Sequence, residues 1–226
     1  MNLNSKLLAF DKIFEIYKDF TDDINTACKK YCSICCTKDV IMTSVEGYKI
    51  IRHIISEDKT HLFEKIKASS ALQRFKPEIT INGLADLSME EDDLPEEIKT
   101  PIGRCPLLVN NACSVYPDRP FACRCFISTE NCEKNECAII DDYVLTINNI
   151  FLQVIEHVDQ DGFTGNLTDI LLFLESAQNR ENLLAGKCVN RPSCLINNRP
   201  LKILMIPPEH RDRVQPLLKA LKDITY

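Results

Sequence analysis

Cys28-Lys29-Lys30-Tyr31-Cys32-Ser33-Ile34-Cys35-Cys36 sets four thiols inside nine residues, and the use made of those thiols decides the fold. Two or three intervening residues let cysteines at the end of a helix turn back onto one ion, because metal–sulfur bonds of about 2.3 Å require the sulfurs to converge. The adjacent pair Cys35-Cys36 behaves differently. Neighbouring side chains in extended or turning chain point apart, so this pair is expected to serve two metals, or one metal while supporting its partner.

The chain carries 12 cysteines in 226 residues, above ordinary usage and below the density of a small disulfide scaffold. Its first residues, Met1 to Lys6, run into a charge-studded amphipathic pattern with no continuous apolar stretch and no small-residue cleavage site, which predicts a cytoplasmic protein. In a reducing compartment such thiols hold metal or do redox chemistry rather than form disulfides. A net charge of −6 and the absence of tryptophan leave no basic field for phosphates, which argues against nucleic-acid binding. The most apolar long stretch, Ile139 to Val158, is broken by Asp141, Asp142, Asn148, Asn149 and Glu156, so no membrane span is expected.

Outward from the first thiols, apolar residues from Leu7 to Ile24 recur at threes and fours and predict a helix over about 6–24. Asp39-Val40-Ile41-Met42 is β-prone, and Thr43 with Glu46 forms a capping box that starts a second helix. Leu62, Phe63, Ile66, Leu72 and Phe75 predict a third, ending before Pro77. Residues 77–104, with Asn82-Gly83, the acidic run Glu90 to Asp93 and Pro77, Pro95 and Pro101, read as a surface insertion. Residues 105–137 hold six cysteines among Pro106, Pro117 and Pro120, too interrupted for a helix or long strand, so bound metal is expected to order them. Helical patterns resume over about 138–158 and 167–185, the latter closing at Gly186, and again from Pro208 to Leu221, while Leu201 to Ile206 reads as a strand. The expectation is a mainly α protein with short strands, its helices framing an irregular, metal-ordered cysteine-rich centre. Residues 1–137 form the cysteine-cluster region, and 138–226 a helical region packed on the same domain.

The ordered series Cys28-x3-Cys32-x2-Cys35-Cys36, Arg104-Cys105-Pro106-Leu107-Leu108, Cys113-Ser114-Val115-Tyr116, Arg119-Pro120-x2-Cys123-Arg124 and Cys132 resembles the YkgJ family of cysteine-cluster proteins, described as zinc- or iron-chelating domains. The resemblance covers about residues 28–132 and departs from the family's CxxCxxCC opening by one extra residue before Cys32. It departs also in the additional Cys125 and Cys137 and in the long C-terminal region. It implies Cys28, Cys32, Cys35, Cys36, Cys105, Cys113, Cys123 and Cys132 as metal ligands, in two four-thiolate sites or one larger cluster. Eight thiolates around two divalent ions leave negative charge that needs donors, and Lys29, Lys30, Lys38, Arg104, Arg119 and Arg124 lie on the same segments. Arg119 and Arg124 are the candidate residues to support the bound group; the alternative is a proline-braced turn whose arginines merely face water.

Spacing does not choose the metal, since four-sulfur tetrahedral sites suit zinc and iron–sulfur clusters alike. Cys105-Pro106 parallels ferredoxin ligand runs, and no CxxC pair occurs twice as in a zinc ribbon, so the reading favours iron–sulfur with zinc its close competitor. Cys28-x3-Cys32-x2-Cys35 also has radical S-adenosylmethionine spacing, but that chemistry sits on alternating strands and helices that a chain with six glycines and few strands does not suggest. The cysteine region is similar, too, to that of FliB-like lysine N-methylases, which implies S-adenosylmethionine as an alternative cofactor and a methyl-transferring enzyme, although no GxGxxG cradle is visible. His53 and His61 sit eight apart across a helix break and His157 and His210 are isolated, so each reads as a surface or core histidine, with His53 a substitute ligand should Cys28 not serve. Cys125 and Cys137 are spare ligands; Cys188 and Cys194, six apart around Pro192, could pair with each other, bind metal or be buried thiols, with the last favoured; and Tyr116 and Tyr143 read as packing residues.

Overall fold

A computed structural model describes residues 1–29, 31–90, 100–135, 137–187 and 191–224. The protein is mainly helical with a few short strands. Helix α1 (Leu3–Asp22) opens where Asn2 Oδ1 accepts the Ser5 N–H at 2.9 Å, and its apolar stripe Leu3, Leu7, Phe10, Ile13 and Tyr17 lies against α7 (Asp142–Val158). The Thr43–Glu46 capping box forms as expected and turns β1 (Ile41–Thr43) into α2 (Ser44–Ser56). Helix α3 (Leu62–Ser70) stops short of the expected Phe75, because the chain beyond it turns so that the Phe75 N–H reaches Asp39 Oδ1 at 2.7 Å.

Two apolar cores carry the body. The first joins α1 and α7 to α10 (Gln215–Lys222); the second joins α2 and α3 to α8 (Leu167–Glu175), and Tyr48 and Leu183 touch both. Gly47 permits the α2–α8 contact, since a Cβ there would overlap Ile170. The antiparallel sheet β1–β4–β5 contributes Met42 and Phe163 to the second core, with Ile41 opposite Asn166 and Phe163 opposite Asn197, where β4 is Phe163–Asn166 and β5 is Ile196–Asn197. Segments on either side of residue 137 therefore share both cores. No described helix is long and apolar enough to cross a membrane.

Four expectations change. Within the expected surface insertion lies helix α4 (Ile81–Glu90), with Asn82 and Ala85 buried. Asn82-Gly83 is not a loop turn, because Thr80 Oγ1 caps the Gly83 N–H at 3.1 Å and Glu156 accepts the Asn82 N–H at 2.8 Å, so tertiary partners satisfy the helix start. The acidic run beyond Glu90 lies outside the described residues. Leu201 to Ile206 forms no ladder; the buried Gln153 side chain takes a strand partner's place, donating to Ile203 O at 2.8 Å and accepting the Met205 N–H at 2.9 Å. The helix expected over 167–185 breaks at Ser176, which caps α9 (Ala177–Leu184), and Gly186 follows at φ 61°. The helix expected from Pro208 is a short 3-10 turn, Pro208–His210, before α10.

Candidate metal centre

The first thiols lie in irregular chain between α1 and β1, held to the later thiols by main-chain bonds. Cys105 N–H donates to Cys36 O at 3.0 Å, Thr37 bridges Arg104, and Lys38 N–H donates to Gly103 O at 3.0 Å, so residues 36 and 105 face each other across an antiparallel pairing. Leu108–Val109 (β2) and Ala112–Cys113 (β3) then form a hairpin with Leu108 opposite Cys113. Its two-residue turn, Asn110-Asn111, has φ of 50° and 59°, the left-handed pair that the tightest hairpins need and asparagine tolerates. Cys105 and Cys113 thus stand at the hairpin's base, each with the N–H of the residue two beyond it, Leu107 or Val115, donating to its sulfur. Cys123 comes from the four-residue helix α5 (Phe121–Arg124).

Electrostatics couple these thiols. Burial, reinforced by the Cys113 charge, pushes Cys105 up to about 11, and burial followed by the charges of Cys105 and Cys113 pushes Cys123 well above its ordinary value. Cys113 is raised by burial, against the pull of the Val115 N–H, Arg119 and Lys59. Cys36 is lowered by a hydrogen bond from Cys35, in spite of burial and the charges of Cys105, Cys123 and Cys113. The same bond raises Cys35. The vicinal side chains therefore meet rather than point apart, which corrects the expectation that neighbours diverge: the chain turns at Cys35, with the Thr37 N–H bonding to its carbonyl at 3.0 Å. Burial raises Cys105, Cys113 and Cys123, repulsion between thiolates opposes ionisation at Cys36, Cys105 and Cys123, and a bound cation would relieve both penalties. The donor set thus fits a thiophilic metal in its chemistry. Among the described residues no three His, Cys, Asp or Glu side chains yet stand at metal-holding geometry.

A second group lies apart. Cys28, Cys32 and Cys132 line a cleft of about 100 Å³ with Lys29, Tyr31, Glu130 and Glu133. The Ala27 N–H donates to Ser128 O at 2.8 Å and the Ser128 N–H approaches Cys28 Sγ at 3.5 Å, which fixes Cys28 beside the chain leading to Cys132 in the four-residue helix α6 (Cys132–Asn135). Tyr31, between Cys28 and Cys32, has φ of 72°, a left-handed conformation that costs a non-glycine residue about 1 kcal/mol or more. That reversal accommodates the three-residue spacer.

The two candidate arginines diverge. Arg119 lies 4.0 Å over the Tyr116 ring, eases the charge on Cys35, Cys113 and Cys123, and has a buried Nε without a hydrogen-bond partner among the described residues. Arg124 instead braces the loop, donating to Arg119 O at 2.9 Å and Pro117 O at 2.5 Å with its guanidinium 4.5 Å over Phe14. Lys38 is buried and donates to Gln73 O at 2.5 Å, and Arg104 donates to Asn111 Oδ1 at 3.0 Å. His53 is occupied by Asp118 at 2.9 Å and Lys59 at 3.0 Å, so it ties α2 to the thiol loop rather than standing in for Cys28. Cys125 is buried and raised to about 12, first by burial; Cys137 is exposed, and Cys194 is half-buried near Asp169 and Arg74. Lys30 and Cys188 lie outside the described residues. Sequence reasoning missed Glu130 and Glu133, although both flank Cys132, and Lys59, which no motif marks.

A cavity of about 530 Å³ at the start of α1, lined by Lys6, Phe163, Leu183, Lys187 and Arg191 among others, shares no lining residue with either thiol group. Compared with protein-family models, characterised proteins and solved structures, the chain matches none.

Proposed function

We propose that this chain is a metal-binding cysteine-cluster protein, iron–sulfur in preference to zinc, with two centres. Cys36, Cys105, Cys113 and Cys123, with Cys35 beside them, hold the first; Cys28, Cys32 and Cys132 begin the second, where Glu130 or Glu133 is the nearest additional donor. The observation that supports this reading is the mutual perturbation of thiols drawn from three separate segments, 35–36, 105–113 and 123. Chance burial of cysteines gives isolated, inert thiols; here charge on Cys105 and Cys113 acts to raise both Cys36 and Cys123, a penalty that a cation removes. A bound iron–sulfur cluster would supply electron transfer, and zinc would supply a structural cross-link. The chain's own contribution is to orient the sulfurs: the Leu107 and Val115 N–H groups favour the thiolates of Cys105 and Cys113, and the Arg119 guanidinium offsets the excess negative charge.

The test is anaerobic purification with visible absorption and iron, sulfide and zinc analysis of one sample. Brown protein with iron and acid-labile sulfide supports the iron–sulfur form, and colourless protein with bound zinc supports the competitor. Cys36→Ser and Cys113→Ser each lower metal content, and Cys194→Ser leaves it unchanged. Wild-type protein that carries neither metal and takes up neither on reconstitution refutes the function.

A further inference from the structure

Glu46 is 4% exposed and forms no ion pair among the described residues. Its Oε2 accepts the Thr43 N–H at 2.8 Å and the Thr43 hydroxyl at 2.9 Å, the bonds of a capping box. Its Oε1 does something a capping box does not require: it accepts the Phe121 N–H at 2.7 Å, 75 residues further along the chain. Phe121 opens α5, whose N-cap is Pro120 and has no side-chain hydrogen bond to offer. The first N–H groups of any helix lack partners within it, and a helix of four residues cannot place itself.

We infer that Glu46 is the positioning residue for Cys123. One carboxylate caps two helices, so the start of α2, packed into both cores, sets where the thiol two residues beyond Phe121 stands relative to Cys36, Cys105 and Cys113. Burying a carboxylate is costly, and burial raises this one's proton affinity above its ordinary value against the pull of its three hydrogen bonds, while its charge also interacts with Arg124. The inference builds on the metal-binding reading above, but it concerns a tie that exists in the chain without metal.

The experiment uses the full chain with Glu46→Gln and Glu46→Asp, and Thr43→Val as the control. Gln retains one acceptor oxygen, and Asp keeps the charge but is one methylene too short to span both partners. Thr43→Val weakens the α2 cap and spares the Phe121 bond. In the metal-free chain, iodoacetamide labelling is followed by peptide mass spectrometry at Cys123 and Cys194. Both Glu46 variants raise Cys123 labelling about tenfold, as expected when a charge-assisted bond is lost, and Thr43→Val does not. In the loaded chain, both release metal to a chelator about tenfold faster. Unchanged Cys123 labelling, or an equal rise at Cys194 or in Thr43→Val, overturns the inference. A wild-type chain that retains no metal refutes the proposed function instead, and the labelling still decides the role of Glu46.

Discussion

Replacing Lys6 by Met tests whether one buried ion pair locks the body on which the thiols depend. Lys6 is 6% exposed, Asp159 is fully buried, and Nζ lies 3.0 Å from Asp159 Oδ1. The carboxylate also accepts from Ser44 Oγ at 2.5 Å, Val45 N–H at 3.2 Å and Asn198 Nδ2 at 3.2 Å, so it joins α1, the start of α2 and the chain after β5. Met fills the stem of Lys6 but strands the charge, and breaking a buried pair from one side costs about 3–5 kcal/mol. For a chain of this size each kcal/mol lowers the melting temperature by about 2–4 °C, which gives a fall of about 6–20 °C. Burial already raises the Asp159 carboxyl above its ordinary value while Lys6 pulls it down; without Lys6 it rises further. Protonated Asp159 no longer needs the cation, so the deficit is greatest above that raised value and shrinks as the pH falls through it. Urea unfolding followed by circular dichroism measures it, since the chain has no tryptophan to report by fluorescence. In Lys6→Met/Asp159→Asn the charge is gone and the amide keeps much of the hydrogen bonding, so the double variant is more stable than Lys6→Met. A loss below about 1 kcal/mol in Lys6→Met, or a double variant less stable than the single, refutes the reasoning.

Gly162→Ala puts a Cβ against Ser44 Oγ and both Asp159 carboxylate oxygens, and is expected to cost about 1–3 kcal/mol; a melting temperature equal to wild type would show that the junction yields. Burial lowers His157, whose Nδ1 accepts the Leu201 N–H at 3.2 Å, so its contribution is complete above the ordinary imidazole value of about 6.5 and is lost as the pH falls through the lower folded value. His157→Gln should flatten the decline in urea midpoint from about pH 7.5 to about pH 5.5, and an unchanged slope counts against the assignment. Stripping metal should speed protease cleavage within 105–137 more than within α7; equal protection of that segment with and without metal contradicts a centre that orders it.

Helices written by long apolar periodicity were legible: the stripes of α1 and α7 and the Thr43–Glu46 start of α2 are local signals strong enough to survive packing. What escaped the sequence depends on partners far along the chain. Phe163–Asn166, the central strand, is four residues long and takes its ladder from residues 41–43 and 196–197, so no alternation announces it. Helix α4 hides behind Asn82-Gly83 because Glu156 supplies the bond that a loop turn would otherwise make. At the candidate centre, spacing grouped Cys28 with Cys35 and Cys36, whereas the turn at Tyr31 sends Cys28 and Cys32 towards Cys132. Arg119 and Arg124 share one short motif, and only their three-dimensional neighbours distinguish the arginine beside the thiols from the one that clamps a loop.

The two thiol groups rest on different foundations. Cys105, Cys113 and Cys123 pack against the core of α2, α3 and α8, whereas Cys28, Cys32 and Cys132 belong to neither core and line an open cleft. Folding the body therefore assembles most of the first group before any ion arrives, while the second takes its shape from a pair of loops that meet at Ala27 and Ser128. Ions held at the two places would exchange on separate clocks: slowly where escape must disturb a packed interior, and quickly where it need only spread those loops at the surface.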